Sequence, residues 1–184
     1  MSEAPVTLRP ARDEELDAIA DLVNASYRGA GGWTNELGYI QGPRTLTEHL
    51  RRDLAKNPGA MLLAADDNPA TVGGALAGVV RLDRAGGDVW ELSMLTVRPD
   101  LQDRGFGRGM LDAAEAVVAR NGGTHIDITV LNIRASLIAW YGRRGYRATG
   151  ETRPFPYEHS PFGRPLRDDL AFAVFKKAIL EGAD

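Results

Sequence analysis

From Gln102 to Gly109 the chain reads Gln-Asp-Arg-Gly-Phe-Gly-Arg-Gly, a stretch suited to holding an anion. Glycines let the backbone approach an oxygen with no Cβ in the way. The first amides of a following helix have no internal partner, and the helix macrodipole favours negative charge beside them. The flanking sequence supplies both elements. Upstream, Val89 to Val97 is crowded with apolar and β-branched residues, alternates with period two and carries one charge, Glu91; Arg98-Pro99-Asp100 ends it. Downstream, Met110, Leu111, Ala114, Val117 and Val118 make one apolar stripe at helical spacing, which Gly122-Gly123 closes. Two phosphate motifs are excluded. Walker A must end in Gly-Lys-Ser/Thr, and the dinucleotide fingerprint needs G-x-G-x-x-G, whereas here the sixth position is Met110. By themselves, the glycines also suit a tight turn shaped for packing.

Gln102-x-x-Gly105-x-Gly107, preceded by LSMLTV and followed by an amphipathic helix, resembles the pyrophosphate-binding motif of the GNAT superfamily of N-acetyltransferases. Tyr141-Gly142-Arg143-Arg144-Gly145-Tyr146, after a strand at 125–131, resembles that family's Y-x-x-x-G-[FY]. Two motifs in the right order and at the right separation are more specific than either alone. The close match spans about residues 89–148. It implies an α/β fold with a mixed, mostly antiparallel central sheet of about seven strands and four flanking helices. Within that fold two parallel strands, here 89–97 and 125–131, splay apart to admit acetyl-CoA as cofactor.

Acetyl transfer to an amine requires deprotonation of the amine, polarisation of the thioester carbonyl and protonation of the leaving thiolate. The sequence contains no cysteine, so the acetyl group cannot pass through a cysteinyl enzyme and direct attack is the simpler route. Glu91 is the candidate base. Alternation places it on the face of Ser93, Leu95 and Val97, where apolar surroundings would raise its pKa. The resemblance also sets it at the position of a catalytic glutamate in the histone-modifying branch. An ion pair with an arginine such as Arg81, or a water chain acting as base, are the alternatives. For Tyr141 the resemblance implies a hydroxyl near the sulfur of coenzyme A, acting as acid; a core aromatic, as for Trp140, is the alternative.

The resemblance further implies cofactor contacts along Leu95, Thr96 and Val97 and around Gln102, Asp103, Arg104, Gly105, Phe106, Gly107 and Arg108. Many relatives place an asparagine seven residues before the tyrosine. Here Asn132, carried as a further cofactor contact, stands nine before Tyr141, and Ser136 is an alternative helix cap. The acceptor side is implied at Tyr27, Arg28, Trp33, Glu36 and Tyr39 and in the long loop from Arg153 to Asp169, for which a homodimer contact is the competing reading. His49, His125 and His159 lack metal-ligand spacing, so no metal is expected.

At 184 residues the expectation is a single domain over 1–184. A net charge of −3 argues against nucleic acid as partner. No apolar run approaches membrane-spanning length and the segment MSEAPVTLRP has no signal core, so a cytoplasmic protein without a membrane partner is expected. The partner is then a small-molecule or peptide amine acceptor. The rival function class is a non-catalytic acyl-CoA sensor, against which retention of both Glu91 and Tyr141 argues.

The remaining elements follow from pattern. Strands are expected at 6–9, ended by Pro10, and at 61–65, 72–82, 147–153 and 170–176. Asp13 is placed to cap a helix with the stripe Leu16, Ile19, Ala20, Val23 and Tyr27, and Thr45-x-x-Glu48 reads as a capping box for a second.

Overall fold

The computed structural model of the protein describes residues 5–30, 35–67 and 74–179. A two-residue strand, β1 (Arg9–Pro10), leads through a 3-10 turn at Asp13–Glu15 into α1 (Leu16–Arg28). Next come β2 (Ile40–Gln41), α2 (Thr47–Lys56), β3 (Met61–Asp66), β4 (Leu76–Gly86) and β5 (Val89–Val97). After α3 (Phe106–Arg120), β6 (His125–Leu131), α4 (Ala135–Gly142) and β7 (Arg147–Pro154), the chain ends in β8 (Arg164–Pro165) and β9 (Ala171–Ala178). The main sheet runs β1-β3-β4-β5-β6-β9-β7 and is antiparallel except between β5 and β6, as the resemblance implied.

Helices cover both faces of the sheet. The α3 stripe buries Met110, Leu111, Ala114 and Val118 against Trp90, Leu92 and Val97, joined by Tyr141 of α4 and by Tyr146. On the opposite face α1 buries Leu16, Ile19 and Val23 with Leu50 of α2 against Leu62 and Val79. A third cluster, Ile40, Leu131, Phe155 and Leu170, holds the loop after β7 to the body of the chain. The β2–β8 pair belongs to this region and has no counterpart among the strands expected from the sequence.

The helix starts differ from expectation. Asp13 does not cap α1; the local turn is held instead by Glu15, which accepts from the Arg12 amide at 2.9 Å. Arg9 then bridges Glu15 and Asp66 at 2.7 Å each. The Thr45–Glu48 capping box is not formed either. Asn24 of α1 takes the Thr45 amide at 3.1 Å and donates to its carbonyl at 2.9 Å, so α2 begins two residues later at Thr47. Pro10 lies within β1 rather than ending it, which an edge strand tolerates. β4 starts at Leu76; the expected start at Val72 lies outside the described residues.

A bulge in β5 matters most for the site. Arg81 pairs with Ser93 and Val79 with Thr96, so Met94 and Leu95 together oppose Val80. Met94 takes a left-handed φ of 55° to accommodate the extra residue. Alternation reverses there. Leu95 and Val97 join Leu92 on the α3 face, while Thr96 joins Ser93 and Glu91 on the α1 face. The expectation that Glu91 shares a face with Leu95 and Val97 therefore fails, because one inserted residue flips every side chain beyond it.

Close packing surrounds the bulge. A Cβ on Gly78, opposite Val97, would lie 2.8 Å from the Thr96 carbonyl oxygen and overlap the Met110 sulfur. Backbone cannot give way as a side chain can. Gly78→Ala is expected to destabilise the protein by about 1–3 kcal/mol. The check is a urea titration, in which the midpoint should fall while the slope is unchanged.

Candidate active site

The splay between β5 and β6 is set by their pairing. Parallel pairing runs from Val89↔His125 to Glu91↔Asp127 and stops. Beyond it a cavity of about 390 Å³ opens on the α3 face, bounded by Leu95 and Val97. The end of β5 is held in place from two sides. The Val97 carbonyl accepts from the Ser26 hydroxyl of α1 at 3.1 Å and from the Gln102 side-chain amide at 2.9 Å. Gln102 thus fastens the turn to the strand.

The turn itself reverses sharply. After a 3-10 turn at Pro99–Leu101, Asp103 and Gly105 both adopt left-handed conformations, with φ of 61° and 81°. Gly105 is the residue before α3, a position where a side chain would be strained. The first hydrogen bond of α3 runs from the Gly109 amide to the Gly105 carbonyl at 3.0 Å, so the amides ahead of it have no helical acceptor. No acidic residue occupies the first turn of α3, whereas α1 and α2 carry Asp17 and Glu48 there. Within its first turn, this helix start carries no acidic side chain against its positive end; the nearest carboxylate along the chain is Asp103, which also lines the cavity.

Of the expected cofactor residues, Leu95, Val97, Gln102, Asp103, Gly105, Gly107 and Arg108 line the cavity, together with Tyr27 and Tyr141. Thr96 does not. It is fully buried on the α1 face, its hydroxyl donating to the Met94 carbonyl at 3.0 Å. Arg104 is exposed, and Phe106 packs against the core beneath α3. Asn132 lies apart from the cavity, donating to the Asp169 carbonyl at 2.9 Å and accepting from the Ala171 amide at 3.1 Å. It fixes the start of β9. Ser136 does not cap α4, whose preceding residue is Arg134.

Glu91 stands at the last paired position of the parallel strands, outside the cavity lining. Its carboxylate is 3.6 Å from the Arg153 guanidinium and about a third exposed, so its surroundings are charged rather than apolar. Arg81, the partner first considered, pairs with Asp83 at 2.8 Å. On the acceptor side, Arg28 and Glu36 form an ion pair at 2.5 Å, and Tyr39 contributes its carbonyl to the Leu166 amide. Trp33 lies outside the described residues.

Tyr141 is 7% exposed, packed edge-on against Trp140 and Tyr146 with ring centroids at 4.9 and 5.4 Å. Its hydroxyl makes no hydrogen bond among the described residues, yet the residue lines the cavity. Burial pushes the phenol well above its ordinary range, reinforced by Tyr27 and opposed by Arg134 and Arg144. A phenol raised in this way keeps its proton near neutral pH.

Four lining residues were not anticipated: Leu137, Trp140, Arg143 and Arg144. Arg144 lies over the Trp140 ring at 3.8 Å and donates to its carbonyl at 3.1 Å, but its Nε is buried without a partner. Burial and the neighbouring charges of Arg143 and Arg108 pull its pKa down. An orphaned guanidinium N–H, three gathered cations and a helix start with free amides fit a phosphorylated anionic group. The basic pair inside Tyr141-x-x-x-Gly145 was the one sequence signal for it.

Residues 16–146 match the family model described as the acetyltransferase (GNAT) family. No curated protein matches significantly. Similar solved structures include the Salmonella typhimurium protein yncA with its cofactor acetyl-CoA, at 20% identity and TM-score 0.63 over 98% of each chain. The ribosomal-protein-S18-alanine N-acetyltransferase of Escherichia coli is similar at 17% identity and TM-score 0.66 over 97% of each chain. A spermidine N-acetyltransferase SpeG chimera from Vibrio cholerae and hSSAT gives 15% identity and TM-score 0.67, over 95% of this chain and 96% of that one. At such identities the likeness is one of fold. No described helix is long and apolar enough to cross a membrane.

Proposed function

Because the chain belongs to the acetyltransferase (GNAT) family, a class of acetyl-CoA-dependent N-acetyltransferases, we propose that it moves an acetyl group directly onto a primary amine. The observation that carries this reading is the Tyr141 hydroxyl, protonated and without a partner, in the same cavity as the glycine-rich turn. Acetyl-CoA supplies an activated acetyl group as a thioester. In this reading the amides ahead of Gly109, with Arg108, Arg143 and Arg144, would hold its phosphates, and Leu95 and Val97, which line the same cavity, would border the pantetheine arm. Tyr141 Oη holds the proton that a departing sulfur requires.

Glu91 is the acceptor-side carboxylate in this reading, on the face of β5 that turns away from the cavity. Two of the solved relatives are named for spermidine and for an alanine of a ribosomal protein, so both belong among the acceptors to be tried beside amino acids, aminoglycosides and peptides. The test is thiol release from acetyl-CoA across that panel, with Glu91→Gln in parallel. Turnover with any amine supports the enzyme. Tight acetyl-CoA binding with no turnover would instead favour the sensor. A fall in kcat for Glu91→Gln supports proton acceptance by Glu91, and an unchanged rate assigns deprotonation to water.

A further inference from the structure

Beside the cavity, Arg28, Arg44 and Arg134 gather around one carboxylate. Glu36 Oε2 lies 2.5 Å from Arg28 Nη1, and its Oε1 lies 3.5 Å from Arg134 Nη1, with the side chains of Arg28, Glu36 and Arg134 no more than 11% exposed. Arg28 is otherwise committed, donating to the Gly42 carbonyl at 2.7 Å and to the Phe162 carbonyl at 2.5 Å. Arg44 differs. Among the described residues its guanidinium makes no hydrogen bond and no ion pair, and it rests over the rings of Phe162 and Tyr27, 4.5 and 5.4 Å from their centroids. Its backbone is pinned by Asn24, whose side chain accepts from the Arg44 amide at 2.6 Å.

Among the described residues Arg44 adds a guanidinium charge with no carboxylate of its own beside an ion-paired, largely buried cluster. Arginine stays charged there, and an uncompensated charge removed from water is costly. Burial pulls the Arg44 pKa down; Tyr27 and Glu36 oppose that shift, whereas Arg28 and Arg134 add to it. The cluster adjoins the reacting end of the cavity. The Tyr27 ring that lies under Arg44 and Arg134 also lines the cavity with Tyr141, and Arg134 acts electrostatically on the Tyr141 phenol.

Resting on the acetyltransferase reading, we propose that the acceptor is an amine that also carries a carboxylate, and that Arg44 binds that carboxylate while the amine is presented beside Tyr141. The planar guanidinium fork suits a carboxylate, and the Arg44 charge, unpaired among the described residues, favours an anion over a neutral or cationic group. Amino acids are the corresponding substrate class.

The experiment compares α- and ω-amino acids with their carboxamides, which keep the amine and lose the charge. Calorimetric binding in the presence of coenzyme A and thiol release from acetyl-CoA are measured for wild type, Arg44→Gln and Arg44→Lys. At least one acid is expected to exceed its amide by on the order of 10- to 100-fold in affinity and in kcat/KM. Arg44→Gln should remove that preference through KM, with kcat within a few-fold, and Arg44→Lys should restore part of it. Unchanged melting temperature and acetyl-CoA affinity would show that both variants fold. The proposal is overturned if amides bind as well as acids, or if Arg44→Gln weakens acid and amide alike. The calorimetric arm needs no turnover, so a failed acetyltransferase reading would show separately as acid binding without thiol release.

Discussion

Tyr141→Phe is expected to lower kcat on an accepted amine by on the order of 100-fold or more, the usual scale for removing a positioned acid. Little else should change. The edge-on contacts to Trp140 and Tyr146 are made by the ring, which phenylalanine keeps, and no described group loses a hydrogen-bond partner when the hydroxyl goes. Acetyl-CoA affinity and melting temperature near neutral pH should therefore match wild type, separating the chemical role from a structural one. Because burial holds the phenol above its ordinary range, the rate ratio of wild type to variant should stay flat from about pH 6 to pH 9. A high-pH signature accompanies it. A raised folded-state pKa contributes stability that is complete below about pH 10 and is lost as pH rises beyond it. Tyr146, which donates to Glu115 at 3.1 Å and is also raised by burial, adds to the same alkaline loss. Tyr141→Phe should thus reduce the fall in melting temperature above pH 10 without abolishing it. An unchanged kcat would assign the proton to solvent.

Gly107→Asp is expected to separate stability from cofactor binding. A Cβ at Gly107 would meet Val97 Cγ2 at 3.6 Å and Trp140 Cζ2 at 3.9 Å, both ordinary contacts, so the backbone need not move. A carboxylate in the first turn of α3 would interact favourably with the helix dipole, by about 0.3–1 kcal/mol, and melting temperature should hold or rise slightly. The same carboxylate would occupy the positive helix start that faces the cavity, where the phosphates need it. Acetyl-CoA Kd should increase by on the order of 100-fold, about 2.8 kcal/mol. Gly107→Ala, which adds the methyl without the charge, should weaken binding far less. If Gly107→Asp bound acetyl-CoA as tightly as wild type, the phosphates would have to be held elsewhere.

Local signals explain most of what was readable without coordinates. β5 and β6 have the limits that alternation assigned, and α3 buries all of its expected stripe except the half-exposed Val117. The glycine spacing marked the turn because left-handed backbone before a helix calls for glycine at one position, and Gly105 fills it. Helix starts read less well. The Thr45–Glu48 capping box is locally sound, but Asn24, from another helix, claims Thr45 first.

What the sequence determined by itself was a strand, a glycine-rich turn and an amphipathic helix in that order, and its two spaced motifs carried the resemblance that implied the fold. The elements themselves depend on neighbours within one strand, one turn or one helix, where period and residue type suffice. Tertiary structure alone decided which side of β5 each residue faces. No residue in LSMLTV announces a bulge, since a left-handed Met94 arises from matching β5 to β4, and it moves Glu91 and Thr96 away from the cavity. Only the folded chain brings Arg28, Arg44 and Arg134 to Glu36. Electrostatic sites of that kind depend on distance in space, and separation along the chain carries almost none of that information.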